Sequence, residues 1–359
     1  MQTMRFQSLE AFRGIAAISI IFYHSMFTSG VLSNFRLNSY LFVDFFFILS
    51  GFIISFAYMQ KLTEKKVSTK TFFIKRIFRL YPMHLFMLAI WGVYIFVKHW
   101  AFTKHLGGQD PFIANNLTSF VQHLLLVQTF GTGNIMAWNV PSWSVSVEIF
   151  AYIIFFIFVK LFTNSHVSVK LLTSFLLIIV LKGLLIIYPT ELQNFTFLFN
   201  GLSTFFMGII LYIMSRYKPK YTPKIWLSNI LEIITVLSIV LLLNMPIHSL
   251  LNLTIIQLLF TLSIYVFAIQ EKGIVSKVLH YRAFQYLGLL SYSIYLIHAI
   301  VVELVGHIFE YVLKSPISYQ GSHKVLILPY GDLINILLVG VVVFLAHFTY
   351  HNIEQALRK

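Results

Sequence analysis

Apolar runs long enough to cross a bilayer recur along the whole chain, at about 9–28, 40–59, 80–98, 142–161, 168–188, 195–214, 227–244, 250–269, 286–305 and 331–350. About 20 apolar residues in a helix span a hydrocarbon core of about 30 Å. A helix also satisfies its own backbone hydrogen bonds, as lipid requires. The pattern therefore predicts an all-α integral membrane protein, a single-domain bundle (1–359) of about ten transmembrane helices. The stretch 60–81 reads as a very basic connection. Within the longest outer connection, 113–130 reads as an amphipathic helix lying on the outer surface or dipping into it. The segment 306–330, with Pro316, Gly321 and Pro329, reads as a loop. Ser50-Gly51 interrupts the second run, where small residues permit close approach of a helix or of a narrow ligand. Pro82 falls in the first turn expected for the third span, where proline is tolerated. No internal repeat is evident, which weighs against a transporter built on inverted repeats.

Composition sharpens this picture. The chain is 58% hydrophobic and 11% charged, with mean hydropathy +0.82; soluble domains average about 25% charged residues. Net charge is +14, which in a soluble protein would suggest nucleic acid. Here the distribution explains it. With the N-terminus inside, nineteen Lys and Arg fall in inner segments and five in outer ones, while Arg13 and Lys182 lie within spans. The positive-inside rule then places both termini in the cytoplasm, and no nucleic-acid partner is expected. No stretch reads as a removable signal peptide. Cysteine is absent, which excludes disulfides, a cysteine nucleophile and thiolate metal sites; no metal is expected.

The candidate chemistry lies in the ionisable residues inside spans, which are costly and by default functional. Arg13 and His24 are eleven residues apart on the first run, about 16 Å along a helix. Helical rise places His24, Asp44, Glu148 and His298, on four helices, in one outer layer. Such a layer suits acyl transfer to a hydroxyl. Histidine can take the hydroxyl proton near neutral pH, and a carboxylate, Asp44 or Glu148, can orient the imidazole. The bland alternatives are a packing histidine and carboxylates at dipole-favoured helix ends. An inner layer holds Arg13 with Arg76 and Arg79. The last two are spaced i,i+3 on one helical face, and their guanidinium forks match phosphate oxygens. Attraction to anionic lipid headgroups also explains the basic connection, but not an arginine within a span. A proton-coupled secondary transporter using the buried charges as a relay, or a membrane scaffold, are the other function classes.

Five segments together resemble the family 3 membrane acyltransferases: Leu9-Glu10-Ala11-Phe12-Arg13-Gly14 with His24 at Arg-x10-His spacing; Val43-Asp44 through Ser50-Gly51-Phe52; Arg76-Ile77-Phe78-Arg79 followed by Tyr81-Pro82; Pro141-Ser142-Trp143 through Glu148; and Ser291-Tyr292-Ser293-Ile294-Tyr295-Leu296-Ile297-His298. They keep the family's order across most of the chain. The resemblance implies a stand-alone form without a fused extracytoplasmic hydrolase domain, lying in the cytoplasmic (inner) membrane. It implies transfer of an acyl group, most simply acetyl, from cytoplasmic acyl-CoA to a sugar hydroxyl of a surface polysaccharide or its lipid-linked precursor. Arg76, Arg79 and Arg13 would hold the CoA phosphates, with the pantetheine arm running past Gly51. His24, Asp44 and Glu148 would be catalytic. Trp143, Tyr295 and His298 would bind the acceptor. The lipid bilayer and a periplasmic protein completing transfer are the expected partners.

Overall fold

The structure, a computed structural model, describes residues 6–28, 30, 33–106, 109–131, 134–217, 224–246, 249–269, 271–315, 317–320 and 323–356. Arg5, Lys218, Lys220, Arg358 and Lys359 of the charge count, and Pro316 and Gly321, lie outside them. Helices dominate: α1 (Gln7–His24), α2 (Ser33–Asn38), α3 (Phe42–Ile54), α4 (Gln60–Thr63), α5 (Thr69–Thr103), α6 (Leu117–Leu124), α7 (Ser142–Leu161), α8 (Val167–Ile187), α9 (Thr196–Tyr217), α10 (Ile225–Leu243), α11 (Leu250–Ile269), α12 (Ile274–Leu279), α13 (Arg282–His307) and α14 (Gly331–Thr349). Three short strands, β1 (Phe27–Thr28), β2 (Ser318–Gln320) and β3 (His323–Ile327), and several short 3-10 and π-helical turns accompany them among the described residues.

Nine helical segments among the described residues are long and apolar enough to cross a membrane. They correspond to nine of the ten apolar runs, so the protein is an all-α, multi-pass integral membrane bundle. The tenth run forms α1, which Gln7, Glu10, Arg13 and His24 make less apolar than the nine. Its apolar residues Ala11, Ala16, Ala17, Ile20 and Ile21 are buried in protein. A helix sheltered in this way needs less apolar surface than one facing lipid. At the other extreme, α8 leaves Leu172, Phe175, Leu176, Ile179 and Val180 exposed, as a lipid-facing helix should.

The chain divides into two compact units. The first comprises Met1–Leu49 and Met214–Phe348. Its centre is the pairing of α1 with α13, made close by two glycines. A Cβ on Gly14 would lie 2.6 Å from the Leu287 carbonyl carbon, and one on Gly288 would lie 2.0 Å from the Glu10 carbonyl oxygen. Only glycine permits backbones this close. Ten residues further along each helix, the rings of His24 and His298 are 4.9 Å apart. The two helices therefore run parallel and in register, as alternation requires for the first and ninth of ten runs. Phe12, Phe45, Phe260 and Phe267 lock α1, α3 and α11 together by edge-on contacts. Beyond α1, β1 pairs in parallel with β3, which pairs antiparallel with β2. The segment 306–330 is thus more than a loop. Its run Val325-Leu326 is fully buried, and the Leu326 N–H donates to the Met26 carbonyl at 2.6 Å.

The second unit comprises Ser50–Ile213 and Thr349–Lys359. The stretch read as a connection, 60–81, is mostly helix. Ser68 caps α5, its hydroxyl accepting the Thr71 N–H at 3.1 Å, which is the usual role of serine at a helix start. Pro82 consequently lies well inside α5, not in its first turn; it only withdraws the N–H that would serve the Phe78 carbonyl. Gly51 lies within continuous helix, and its open side is filled. A Cβ there would stand 2.0 Å from the Phe205 carbonyl oxygen. The small residue serves helix packing, and among the described residues the Phe205 backbone fills the space beside it. The 113–130 segment contracts to α6, which Asn116 caps and left-handed Leu126 (φ 56°) ends. Ser119 and His123 of α6 are buried while Leu117, Val121 and the adjoining Leu125 face outward, the inverse of a helix on a soluble protein.

Candidate functional site

In the first unit the parallel register brings His24 and His298 together. His24, the last residue of α1, is exposed. His298 is completely buried, and its Nδ1 donates to the Tyr295 carbonyl at 2.5 Å. The Tyr295 ring packs 5.7 Å from His298 and 6.2 Å from Phe46. Asp44 is buried in the first turn of α3, where Gln257 Nε2 of α11 donates to its Oδ2 at 2.7 Å. Arg13 forms an ion pair with Glu10 at 2.9 Å, both side chains half-buried. Its charge is shared one turn away, so an incoming phosphate competes with a carboxylate for Arg13.

The second unit gathers Arg76, Tyr58, Tyr152, Glu148 and Ser50. Arg76 Nη2 donates to the Tyr58 hydroxyl at 3.1 Å. The guanidinium carbon lies 5.0 Å from the centre of the Tyr58 ring and 6.0 Å from that of Tyr152, and cations are attracted to aromatic faces. The Tyr152 hydroxyl donates to Glu148 Oε1, which also accepts from Ser50 Oγ at 2.9 Å. Arg79 stands three residues further along α5, on the same helical face as Arg76. Helical rise alone assigns Glu148 and Arg76 to separate layers, whereas the Tyr152 side chain reaches both, its hydroxyl on Glu148 and its ring 6.0 Å from the Arg76 guanidinium. Arg76 Nε is buried with no hydrogen-bond partner among the described residues, a donor that an anionic oxygen would satisfy. Trp143, half-buried, packs its ring 4.5 Å from that of Phe197 at a tilt of 41°.

The structure thus pairs His24 with His298 within the first unit and Glu148 with the Arg76 cluster within the second. Tyr58 was not singled out in the sequence, and neither were three participants for which signals exist. Tyr152 stands four residues after Glu148, on the same helical face. Glu10 stands three before Arg13. Gln257 is a polar residue in an otherwise apolar run. Arg36 gave no such signal: counted as an outer-segment charge, it is buried, its Nη1 donating to the Ser25 carbonyl at 3.2 Å. Among the described residues, no group of three or more His, Asp or Glu could hold a metal ion.

A multi-pass helical bundle with paired histidines in one unit and an aromatic-flanked arginine in the other defines a class of membrane proteins with chemistry built into their helices. Residues 6–350 match the acyltransferase domain family known as acyltransferase 3, and the chain belongs to that family. It is 39% identical over 90 residues to "Protein 2 in picA locus" of Rhizobium radiobacter, covering 25% of this chain and 46% of that protein. It is 28% identical over 166 residues to the acyltransferase MdmB of Streptomyces mycarofaciens, covering 43% and 39%. It is 25% identical over 169 residues to the peptidoglycan O-acetyltransferase OatA of Listeria monocytogenes, covering 46% and 26%. Each match therefore spans less than half of the relative. No solved structure matches the chain.

Proposed function

We propose that this protein is a membrane O-acyltransferase of the cytoplasmic (inner) membrane. It takes an acyl group, most simply acetyl, from cytoplasmic acyl-CoA. The acceptor is a sugar hydroxyl of a surface polysaccharide or lipid-linked precursor at the outer face. The observation that carries this reading is Arg76, clamped between two tyrosines with a buried N–H to spare, in a chain that matches an acyltransferase family almost end to end.

Arg76 and Arg79 hold the CoA phosphates as bidentate partners; Arg13, once released by Glu10, offers a further guanidinium to an anionic oxygen. His24 takes the proton of the acceptor hydroxyl as its oxygen bonds to the thioester carbonyl carbon. The carbon–sulfur bond breaks, and the CoA thiolate recovers the proton. In the two-step variant His24 carries the acyl group first. Asp44, held by Gln257, orients the histidine or binds the acceptor; Glu148, held by Tyr152 and Ser50, stands in the arginine cluster of its own unit, and Trp143 or Tyr295 offers an aromatic face to the acceptor sugar. A periplasmic partner takes the modified precursor onward.

Mass spectrometry of the surface polysaccharide, with and without the protein, tests this reading. A difference of one acyl group per repeat, located by NMR, supports it. Identical polysaccharides in cells expressing and lacking the protein contradict it.

A further inference from the structure

The inference starts from the state of one nitrogen and rests on the acyltransferase reading above. His298 Nδ1 lies 2.5 Å from the Tyr295 carbonyl oxygen. A carbonyl can only accept, so Nδ1 carries the hydrogen and Nε2 keeps a lone pair. That Nε2 is buried and has no hydrogen-bond partner among the described residues. Leaving a buried acceptor unpaired costs about 1–3 kcal/mol, and a functional role is one of the few reasons a fold tolerates it. The His24 ring centre is 4.9 Å from that of His298, close enough for a ring rotation to bring two nitrogens into hydrogen-bond range. Two lone pairs facing each other would repel. The His24 nitrogen that turns to His298 must therefore bear the hydrogen, and its other nitrogen keeps the reactive lone pair.

We propose that His298 is a positioning residue for His24: its unpaired Nε2 fixes the His24 tautomer, so that one imidazole orients another in the role a carboxylate fills in a triad. The Gly14–Gly288 contact, ten residues before each histidine, sets the register that makes the pair. When His24 takes the acceptor hydroxyl proton, the N–H facing His298 stabilises the imidazolium by donating to Nε2. The proton then passes to the departing CoA thiolate, and both histidines return to their starting state.

The test reads His24 itself. Purified protein is treated with diethyl pyrocarbonate, and modification of the His24 peptide is followed by mass spectrometry beside acyl transfer. His298→Asn keeps an N–H for the Tyr295 carbonyl but has no atom at the Nε2 position. It should slow both His24 modification and kcat about tenfold or more, with donor KM unchanged. His298→Gln, which returns an acceptor there, should restore part of both. Unchanged His24 modification in His298→Asn overturns the proposal and leaves Nε2 to a buried water. If neither variant folds, 15N spectra of the wild-type His24 ring decide: one tautomer supports the proposal and a mixture overturns it. A wild-type protein with the expected His24 reactivity but no acyl transfer keeps the pairing and sinks the acyltransferase reading instead.

Discussion

Gly288 of α13 faces the Glu10 carbonyl of α1 so closely that a methyl group added to it would lie 2.0 Å from that oxygen. The obstacle is backbone, which cannot swing aside. Gly288→Ala should therefore force α1 and α13 apart and destabilise the protein by about 1–3 kcal/mol, with loss of activity as His24 and His298 separate. Gly92, on α5 with nothing within 4 Å of a Cβ, is the control. Gly92→Ala should be neutral or slightly stabilising, by up to about 1 kcal/mol from helix propensity. Thermal denaturation in detergent, followed by size-exclusion chromatography, checks both. Equal melting temperatures for the two variants would contradict the packing account.

Tyr152 joins Glu148 to Arg76 through two separable contacts. Tyr152→Phe removes the hydroxyl bond to Glu148 but keeps the ring beside the guanidinium. Tyr152→Leu removes both. The first should cost about 1 kcal/mol of stability with donor affinity preserved. The second should also weaken acetyl-CoA binding, because a cation–π contact contributes about 0.5–2 kcal/mol to holding Arg76 in place. Isothermal titration with acetyl-CoA separates the two effects.

For the arginines, the chemistry of the fork matters more than the charge. Arg76→Lys should bind acetyl-CoA nearly as poorly as Arg76→Ala, since an ammonium cannot reproduce bidentate contact. Glu10→Gln releases Arg13 from its ion pair. A partly exposed pair of this kind is worth about 0.2–1 kcal/mol, so donor binding should tighten by between about 1.4-fold and fivefold. Lysine restoring full affinity, or Glu10→Gln leaving affinity unchanged, would remove these roles.

His123, on short α6 outside the spans, supplies a pH signature. Burial holds its pKa below the ordinary 6.5, so the folded state favours neutral imidazole. Between the folded and unfolded values the unfolded chain binds more protons, and stability therefore rises with pH there. The contribution is complete above about pH 6.5 and is lost as pH falls below it. Melting temperatures measured from pH 7.5 to 5 should decline on the acid side, and His123→Gln should flatten that decline.

How much of this was legible in the sequence depends on the scale of the signal. Nine of the spans follow from apolar runs about 20 residues long, and lipid enforces that pattern on every such helix. The Arg13, His24, Asp44, Glu148 and His298 positions stood out because ionisable groups in apolar runs are conspicuous. What stayed hidden was pairing. The α1–α13 register depends on two glycines 274 residues apart, and no local pattern announces that they meet. The start of α5 is set by Ser68, a better cap than the proline that lies further inside the helix. The β1–β3 pairing joins a two-residue strand to a distant one, below the length at which alternation can be recognised. At Gly51 the sequence allows a helix or a narrow ligand to approach, and the Phe205 backbone takes that place.

The central claim is acyl transfer from acyl-CoA through His24, and purified protein in liposomes tests it most directly. Radiolabelled acetyl-CoA is supplied on one side and a polysaccharide acceptor on the other. The account predicts that wild-type protein places label on the acceptor and that a correctly folded His24→Ala variant does not. Equal labelling by the two proteins, or passage of an intact solute without any labelled acceptor or protein, would contradict it.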